Sequence, residues 1–451
     1  MPTRYPLPGL VRWIAALSLT LGLAGCRGTE IIREFFRDPT PHEAYVLGLF
    51  HAGLDSTALG REWIQASRDA LSNPLTMDPP YREEGFFPEE DPSALGYRFP
   101  LLRGQRLVVR VELTGRDSTQ LFVDLFRAAP DSMRAPVPLS WGEEGSELVY
   151  DPFRSGDYIL RIQPELLRGG RFQVTIVNGP SLEFPVAGHG MQDVGSVFGA
   201  PRDAGRRVHH GVDIFARRGT PVIAGTRGFV SRADTTEIGG RVVWLRDEEN
   251  PQSLYFAHLD RILTPTGTHV EVGDTLGFVG NTGNARTTPP HLHFGIYRRR
   301  FGPVDPWDFI RRIPTNAQEV VVNLDDLGSW VRIREPEINL RKAPSRRSEV
   351  VADLPRHTPV RVMGGVGTYY RVRLPDGSSG FLAGRLTEEM QEPIRTETLA
   401  EDLPLQAQPL PHSPVMDEIP RGADVPVLGA FGGFLYVRAP SGTAGWVPAT
   451  R

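Results

Sequence analysis

Residues 209–213 of the chain are His-His-Gly-Val-Asp, and residues 291–293 are His-Leu-His. His258 lies between these two phrases, and six of the eleven histidines fall between residues 209 and 293. Histidine is therefore concentrated locally rather than spread along the chain. Imidazole and carboxylate groups suit zinc, and a catalytic zinc site has three protein ligands and one open position. The two phrases predict an open zinc site and, with it, a hydrolase.

Strand geometry predicts where these side chains point. Residues two apart in an extended strand lie on the same side, so His291 and His293 are expected to face one cleft and Leu292 to face away. His209 and Asp213 share a face if their stretch is extended. A spacing of four also suits a helix, so spacing alone leaves both conformations open.

The residue types also limit the proton chemistry. Zinc lowers the pKa of a bound water to about 7, after which a general base takes a proton and a donor stabilises the oxyanion. No His-Glu-x-x-His phrase occurs in the sequence, so the glutamate base of helical zinc proteases is missing. Histidine is the remaining candidate for the base.

Three phrases together resemble the lysostaphin-type zinc metalloendopeptidases. They are His209–Asp213, Tyr-Phe-Ala-His-Leu at 255–259 and Pro-Pro-His-Leu-His-Phe-Gly at 289–295. The likeness continues through the glycine-rich residues 272–284 and covers roughly residues 190–310.

This resemblance implies roles for five residues. His209, Asp213 and His293 would ligate Zn2+, His291 would be the general base, and His258 would stabilise the oxyanion or share the proton work. The family hydrolyses peptide bonds in the cross-bridges or stem peptides of peptidoglycan, so the resemblance implies peptidoglycan as the partner.

The N-terminal residues predict export. Arg4 and Arg12 precede an apolar run, residues 13–24, that is too short to span a bilayer comfortably and fits an export signal. The run ends in Leu-Ala-Gly-Cys at 23–26, which resembles a bacterial lipobox, and this implies a lipid on Cys26. Since Cys26 is the only cysteine, no intrachain disulfide is possible. We expect an exported lipoprotein of the cell envelope. If the cell has an outer membrane, we expect the anchor to lie there and the protein to face the periplasm, because Arg27 follows the Cys at the position where an inner-membrane retention signal typically has Asp.

Length and hydrophobic period divide the rest of the chain. With 451 residues it exceeds one compact core, and 48 glycines and 41 prolines favour short strands and turns. We predict a mainly β, multidomain protein with a small helical segment, a β-sandwich, a β-rich lysostaphin-type domain and two SH3-like β-barrels. The predicted boundaries are a signal peptide at 1–26, the helical segment at 27–80, the sandwich at 81–180, the zinc peptidase domain at 181–314, and the barrels at 318–387 and 396–451.

The prediction of two barrels is based on a repeat in the sequence. Pro355, Arg356 and Val360 recur 65 residues later, as do nine other positions between 340 and 380. Residues 338–344 and 370–382 resemble bacterial SH3-type domains, which implies wall binding or, alternatively, a spacer role. Residues 388–401, between the copies, form an acidic segment that we predict to be a linker.

These features favour a lipid-anchored zinc endopeptidase acting on peptidoglycan. The net charge of −4 gives no reason to expect a nucleic-acid partner. One rival is a non-catalytic or self-inhibited relative that activates another wall hydrolase, and another is a wall-binding lipoprotein. Retention of three ligands and both further histidines favours the enzyme. A regulatory protein partner is left open.

Overall fold

The computed structural model describes residues 38–115, 119–128, 138–142, 147–202, 205–299 and 301–449. Cys26, the predicted signal peptide and residues 27–37 of the predicted helical segment lie outside these ranges. The described residues divide into two units between Asp55 and Ser56. Within the described ranges, no helix is long and apolar enough to cross a bilayer. The mainly β, multidomain prediction is confirmed.

Two helices near the N-terminus begin at threonine caps. In α1 (Pro41–His51) the Thr40 hydroxyl accepts from the Glu43 N–H at 3.3 Å, and the Glu43 carboxylate accepts from the Thr40 N–H at 2.9 Å. This reciprocal pair is a capping box and satisfies two N–H groups that have no partner inside the helix. In α2 (Ala58–Ser72) the Thr57 hydroxyl accepts from the Gly60 N–H at 3.1 Å.

The next segment is a sandwich of two β-layers. Alternating side chains such as Val109, Val111, Val174 and Ile176 are buried between the layers, as the period of two predicts. One layer has the order β1-β3-β8-β5-β6, and the other contains β2, β9, β4 and β7. The strands are β1 (Leu75–Thr76), β2 (Tyr81–Phe87), β3 (Leu95–Leu101), β4 (Gln105–Gly115), β5 (Leu121–Arg127), β6 (Pro138–Gly142), β7 (Glu147–Tyr150), β8 (Gly156–Pro164) and β9 (Gly170–Pro180).

The histidine-rich region forms a separate β-domain around its own core. Its main sheet has the order β10-β13-β21-β17-β16-β15-β19, with β22 beside β21, and β14, β20 and β18 form a second sheet. The strands are β10 (Val194–Ser196), β11 (Pro201–Arg202), β12 (Arg207–Val208), β13 (Val212–Phe215), β14 (Pro221–Ile223), β15 (Gly228–Thr236), β16 (Gly240–Asp247), β17 (Gln252–Leu259), β18 (Arg261–Ile262), β19 (His269–Val270), β20 (Thr275–Phe278), β21 (His291–Arg298) and β22 (Gly302–Val304). A short helix, α3 (Trp307–Ile310), follows and buries Phe309 and Ile310 in the same core.

The C-terminal repeat is visible strand by strand. The bounds of β26, β27 and β28 recur 65 residues later as β33, β34 and β35, and the bulge at Val362–Gly364 recurs at Val427–Gly429. The strands are β23 (Trp330–Ile333), β24 (Glu337–Arg341), β25 (Val350–Pro355), β26 (Pro359–Val366), β27 (Tyr369–Arg373), β28 (Ser379–Ala383), β29 (Thr387–Glu389), β30 (Arg395–Thr398), β31 (Leu403–Gln406), β32 (Val415–Ile419), β33 (Asp424–Phe431), β34 (Phe434–Arg438) and β35 (Ala444–Pro448).

The linker interpretation of residues 388–401 is wrong. β29 pairs with β23 of the first copy, and β30 pairs with β33 of the second. The two copies also contact each other directly, because Arg332 of the first donates to the Leu428 carbonyl of the second at 3.1 Å. The segment between the copies therefore completes both of them.

The sandwich and the first barrel share one continuous sheet. β2 pairs with β9 of the sandwich on one side and with β26 of the barrel on the other. Glu83 of β2 is fully buried and accepts from Arg371 Nε at 2.6 Å, from Tyr81 at 2.7 Å and from Tyr97 at 3.0 Å. Burial, together with the Glu83 carboxylate, raises the pKa of both tyrosines, so both remain donors. A buried ion pair therefore joins the two modules.

Removing one partner of this pair is expected to destabilise the junction strongly. In Glu83→Leu the Arg371 guanidinium stays buried without a counter-charge, which costs about 3–5 kcal/mol. Denaturant unfolding followed by tryptophan fluorescence measures the shift. The double variant Glu83→Leu/Arg371→Met should recover part of the loss, because neither charge remains, whereas the buried Tyr81 and Tyr97 hydroxyls still lack the carboxylate acceptor.

The neighbouring Glu84 provides the control. Its ion pair with Arg82 spans 3.3 Å at a partly exposed position, so Glu84→Ala should cost less than about 1 kcal/mol. Equal effects of the Glu83 and Glu84 variants would contradict the structural role of the buried pair.

Candidate metal centre

Three neighbouring strands bring the candidate residues to one level of the sheet. Asp213 of β13 lies opposite His293 of β21, and His293 lies opposite Ala257 of β17, which precedes His258. On the other face of β21, Leu292 is fully buried in the core. Strand alternation therefore turns His291 and His293 to the same cleft, as the sequence predicts.

Three potential ligand atoms converge in this cleft. His209 Nε2 lies 3.0 Å from Asp213 Oδ1 and 2.9 Å from His293 Nδ1, and His293 Nδ1 lies 3.0 Å from Asp213 Oδ1. Ligand atoms on a tetrahedral zinc ion are roughly 3.3 Å apart, given zinc–ligand distances of about 2.0–2.1 Å. Two imidazoles and a carboxylate are also a donor set that zinc prefers. The three residues fit a zinc ion.

The stretch that carries the first two ligands is extended only in part. Val212–Phe215 is a strand, whereas His209 stands before it in the loop that follows β12. Gly211 lets this loop approach β21, because a Cβ at that position would lie 2.3 Å from the Phe294 carbonyl oxygen and 2.9 Å from His293 Nε2. A glycine is therefore required between the two ligands.

Backbone carbonyls set the orientation of three rings. Nδ1 lies 2.9 Å from the Val197 carbonyl in His209, from the Thr282 carbonyl in His258 and from the Pro289 carbonyl in His291. A carbonyl only accepts, so Nδ1 of each ring carries the proton and Nε2 presents its lone pair. His209 thus offers Nε2 to the ligand triangle, and His258 and His291 offer Nε2 for proton transfer.

His258 occupies a strained position. Its φ is +63°, a conformation that residues other than glycine seldom adopt, and its N–H donates to the Gly239 carbonyl at 2.8 Å. Its ring centroid lies 5.0 Å from that of His291 and 6.0 Å from that of His293. Burial, together with the neighbouring His291 and His293 rings, lowers the pKa of His258 to about 4. The ring is therefore neutral at neutral pH.

The two ligands on β13 and β21 also have shifted pKa values. Burial lowers the pKa of His293. Burial would raise the pKa of Asp213, but its contacts with His209 and His293 outweigh this effect and hold the pKa well below its usual range. Asp213 is therefore a carboxylate, the form that binds a cation.

The cleft around these residues has a volume of about 1040 Å³. One wall carries an aromatic group in which the Trp244 ring centroid lies 4.5 Å from that of Tyr255 and 5.0 Å from that of Tyr297. Arg202 also lines the cleft and contacts Asp213 Oδ2 at 2.6 Å. Sequence reasoning missed Arg202, Trp244 and Tyr297, since neither their spacing nor their local pattern marks them, and it quoted Tyr255 only within the phrase around His258. His269, in the same domain, is exposed and pairs with Glu248 at 2.8 Å.

Comparison with known proteins identifies two segments. Residues 207–306 match the model of peptidase family M23, and residues 336–388 match the bacterial SH3 domain. The chain therefore contains a lysostaphin-type M23 domain and a bacterial SH3 domain, which confirms the resemblance found in the sequence.

Individual relatives match between 20% and 26% of the chain. An L-Ala--D-Glu endopeptidase of Bacillus subtilis is 38% identical over 117 residues, covering 24% of this chain and 36% of the relative. A peptidoglycan DD-endopeptidase, ShyC, of Vibrio cholerae is 38% identical over 88 residues, covering 20% of each chain. The lysostaphin catalytic domain of Staphylococcus simulans is 30% identical, with 26% of this chain and 89% of that one covered and a TM-score of 0.24. The chain thus spans well under two thirds of the curated relatives.

The pKa of His258 predicts a specific titration. In the metal-free protein, its ring should take up a proton with a midpoint near pH 4, compared with about 6.5 in an unfolded chain. Between these values the unfolded chain binds a proton that the folded chain does not. The stability tied to this ring is therefore fully present above about pH 6.5 and is lost as the pH falls towards 4. NMR of the imidazole Cε1–H groups measures the midpoint, with His258→Gln identifying the signal. A midpoint near 6.5 would show that the ring is not desolvated.

Proposed function

We propose that this protein is a zinc-dependent endopeptidase that hydrolyses peptide bonds in peptidoglycan stem peptides or cross-links. The observation that carries the proposal is the convergence of His209 Nε2, Asp213 Oδ1 and His293 Nδ1 within 3.0 Å of one another, beside two further histidines. The names of two relatives, L-Ala--D-Glu endopeptidase and peptidoglycan DD-endopeptidase, support the substrate class.

His209, Asp213 and His293 would hold the zinc ion. When bound, zinc acts as a Lewis acid and brings the pKa of a coordinated water to about 7. The carboxylate contributes one negative charge to the site, and the two imidazoles contribute neutral nitrogen ligands. One position is left for water or substrate if zinc is four-coordinate.

His291 is the proposed general base. Its Nδ1–H is engaged by the Pro289 carbonyl, so its Nε2 lone pair is the group that accepts a proton from water. It lies two residues from His293 on the same face of β21, which places it beside the ligand set.

His258 is proposed to share this proton work. A neutral ring whose Nδ1–H is donated to Thr282 has no proton on Nε2, so it stabilises an oxyanion only after accepting one. Its pKa of about 4 makes it a weak base at neutral pH, which leaves the first proton transfer to His291. The strained φ and the Thr282 carbonyl hold the ring in place for this role.

The β-barrels are proposed to position the peptidase domain on the wall. Residues 336–388 match a bacterial SH3 domain, and this barrel shares its sheet with the sandwich through β2 and β26. A module joined in this way holds a bound wall segment at a constant orientation relative to the sandwich.

We further propose that Cys26 is lipidated and anchors the protein in the envelope. The Leu-Ala-Gly-Cys phrase at 23–26 supports this. Cys26→Ser should abolish incorporation of labelled palmitate and move the protein from the membrane fraction to the soluble fraction, because acyl chains supply the anchor. If Cys26→Ser incorporates no palmitate but still fractionates with the membrane, the proposal that acylation of Cys26 anchors the protein is contradicted.

Digestion of purified peptidoglycan tests the enzymatic proposal. The protein lacking residues 1–26 should release cleaved peptides, identified by mass, and a chelator should stop the release. His293→Ala should lose zinc and activity together. His291→Ala should keep zinc, and its turnover should fall about 10²–10⁴-fold, because the variant lacks the general base but retains the three metal ligands. His269→Ala is the matched control, since this exposed histidine of the same domain lies outside the cleft lining.

Each contrary result has a distinct meaning. Near-normal cutting by His291→Ala would show that the base is assigned wrongly. A folded, zinc-loaded protein that releases no peptide would contradict an active enzyme and favour the alternative, a non-catalytic or self-inhibited relative that activates another wall hydrolase.

A further inference from the structure

Arg202 contacts the Asp213 oxygen that neither His209 nor His293 contacts. Its Nη2 lies 2.6 Å from Asp213 Oδ2 and 2.7 Å from Ser196 Oγ. Ser196 and Asp213 are cross-strand partners in the pairing of β10 with β13. Arg202 comes from β11, which pairs with β12 in a sheet of its own. A residue from a separate two-stranded sheet therefore contacts both a candidate ligand and the neighbouring strand.

The two carboxylate oxygens of Asp213 have different partners. Oδ1 lies 3.0 Å from His209 Nε2 and 3.0 Å from His293 Nδ1, whereas Oδ2 is occupied by Arg202. The guanidinium does not lose its proton in proteins, so this contact persists at every working pH. Only 11% of the Asp213 side chain is exposed, so the carboxylate itself is largely shielded from water.

The difference between the two oxygens matters for the metal. A carboxylate binds a cation through one oxygen or through both, and a second oxygen would raise a four-coordinate zinc site to five-coordinate. An arginine N–H on Oδ2 opposes the second mode, because the same oxygen would have to leave the guanidinium and a positive charge lies beside it.

We propose that Arg202 is a positioning residue that restricts Asp213 to ligation through Oδ1 and so preserves the open coordination position. The inference rests on the proposed zinc site. Residues outside the ligand set commonly orient the ligands, and their loss typically costs 10- to 100-fold in metal affinity or activity. When Arg202 is replaced, we expect activity to fall and the coordination mode to change, whereas the metal content should stay the same.

Cobalt(II) substitution tests this directly, since its visible absorption weakens when coordination rises from four to five. The full chain lacking residues 1–26 is loaded with cobalt. Arg202→Met, which keeps the bulk and removes the charge and the donors, should still bind one metal per chain. Its visible band should weaken at least about twofold relative to the unsubstituted protein, because Asp213 gains a second metal contact. Peptide release by the zinc form should fall about 10–100-fold.

Two further variants make the result specific. Arg202→Lys keeps the charge with a single donor group and should restore part of the cobalt band. Arg232→Met removes a comparable arginine–aspartate pair, 2.8 Å from Asp234 on the exposed end of β15, and should leave the spectrum unchanged.

The outcomes separate the two proposals. An unchanged cobalt band in Arg202→Met would overturn the positioning role, and so would loss of the metal from a folded variant, because Arg202 would then support affinity alone. If Arg202→Met does not fold, Arg202→Ser, whose side chain is too short to reach Asp213, takes its place, and an unchanged cobalt band in that variant would overturn the positioning role. The spectrum needs no substrate, so an unsubstituted protein that binds cobalt but cuts no peptidoglycan would contradict the proposed function and leave the Arg202 result readable.

Discussion

The pairing register of β13 with β21 is the constraint on which the site depends. It places Asp213 opposite His293 and, on the other face, Ile214 opposite Leu292. Val212, Ile214, Leu292 and Phe294 are fully buried, and each buried side chain of this size contributes about 1.5–3 kcal/mol. A shift of one residue would turn these side chains to water and the ligands into the core. The hydrophobic face of the sheet therefore holds the polar face in register.

The glycine-rich residues 272–284, which precede β21, also position the histidines of the site. The His291 N–H donates to the Gly280 carbonyl at 3.0 Å, and the Thr282 and Pro289 carbonyls orient two of the imidazoles. A Cβ on Gly280 would lie 2.4 Å from the Asp260 nitrogen and 2.8 Å from the His258 carbonyl oxygen. The backbone can pass this close to His258 only without a side chain. The ring orientations, and thus which nitrogen faces the cleft, depend on this close approach.

The accessory modules are joined by packing rather than by flexible connections. β2 belongs to the sandwich and to the first barrel at once, and the Glu83–Arg371 pair lies at their junction with no exposure of the carboxylate. The second barrel takes β30 from the segment between the copies. The separate modules that the repeat suggests therefore form a more continuous structure, in which a contact made by the first barrel is held relative to the sandwich.

Residue types and local periods were enough to predict the mainly β fold, the repeat of 65 residues and the cleft shared by His291 and His293, because strand alternation is a local property of the backbone. The strands at 387–389 and 395–398 escaped prediction, since residues exposed at a sheet edge carry no hydrophobic alternation. Arg202, the buried pair of Glu83 with Arg371 and the protonated nitrogen of each ring were decided only by the tertiary structure. Each depends on atoms that come together through long-range packing, and no spacing within the chain records that proximity.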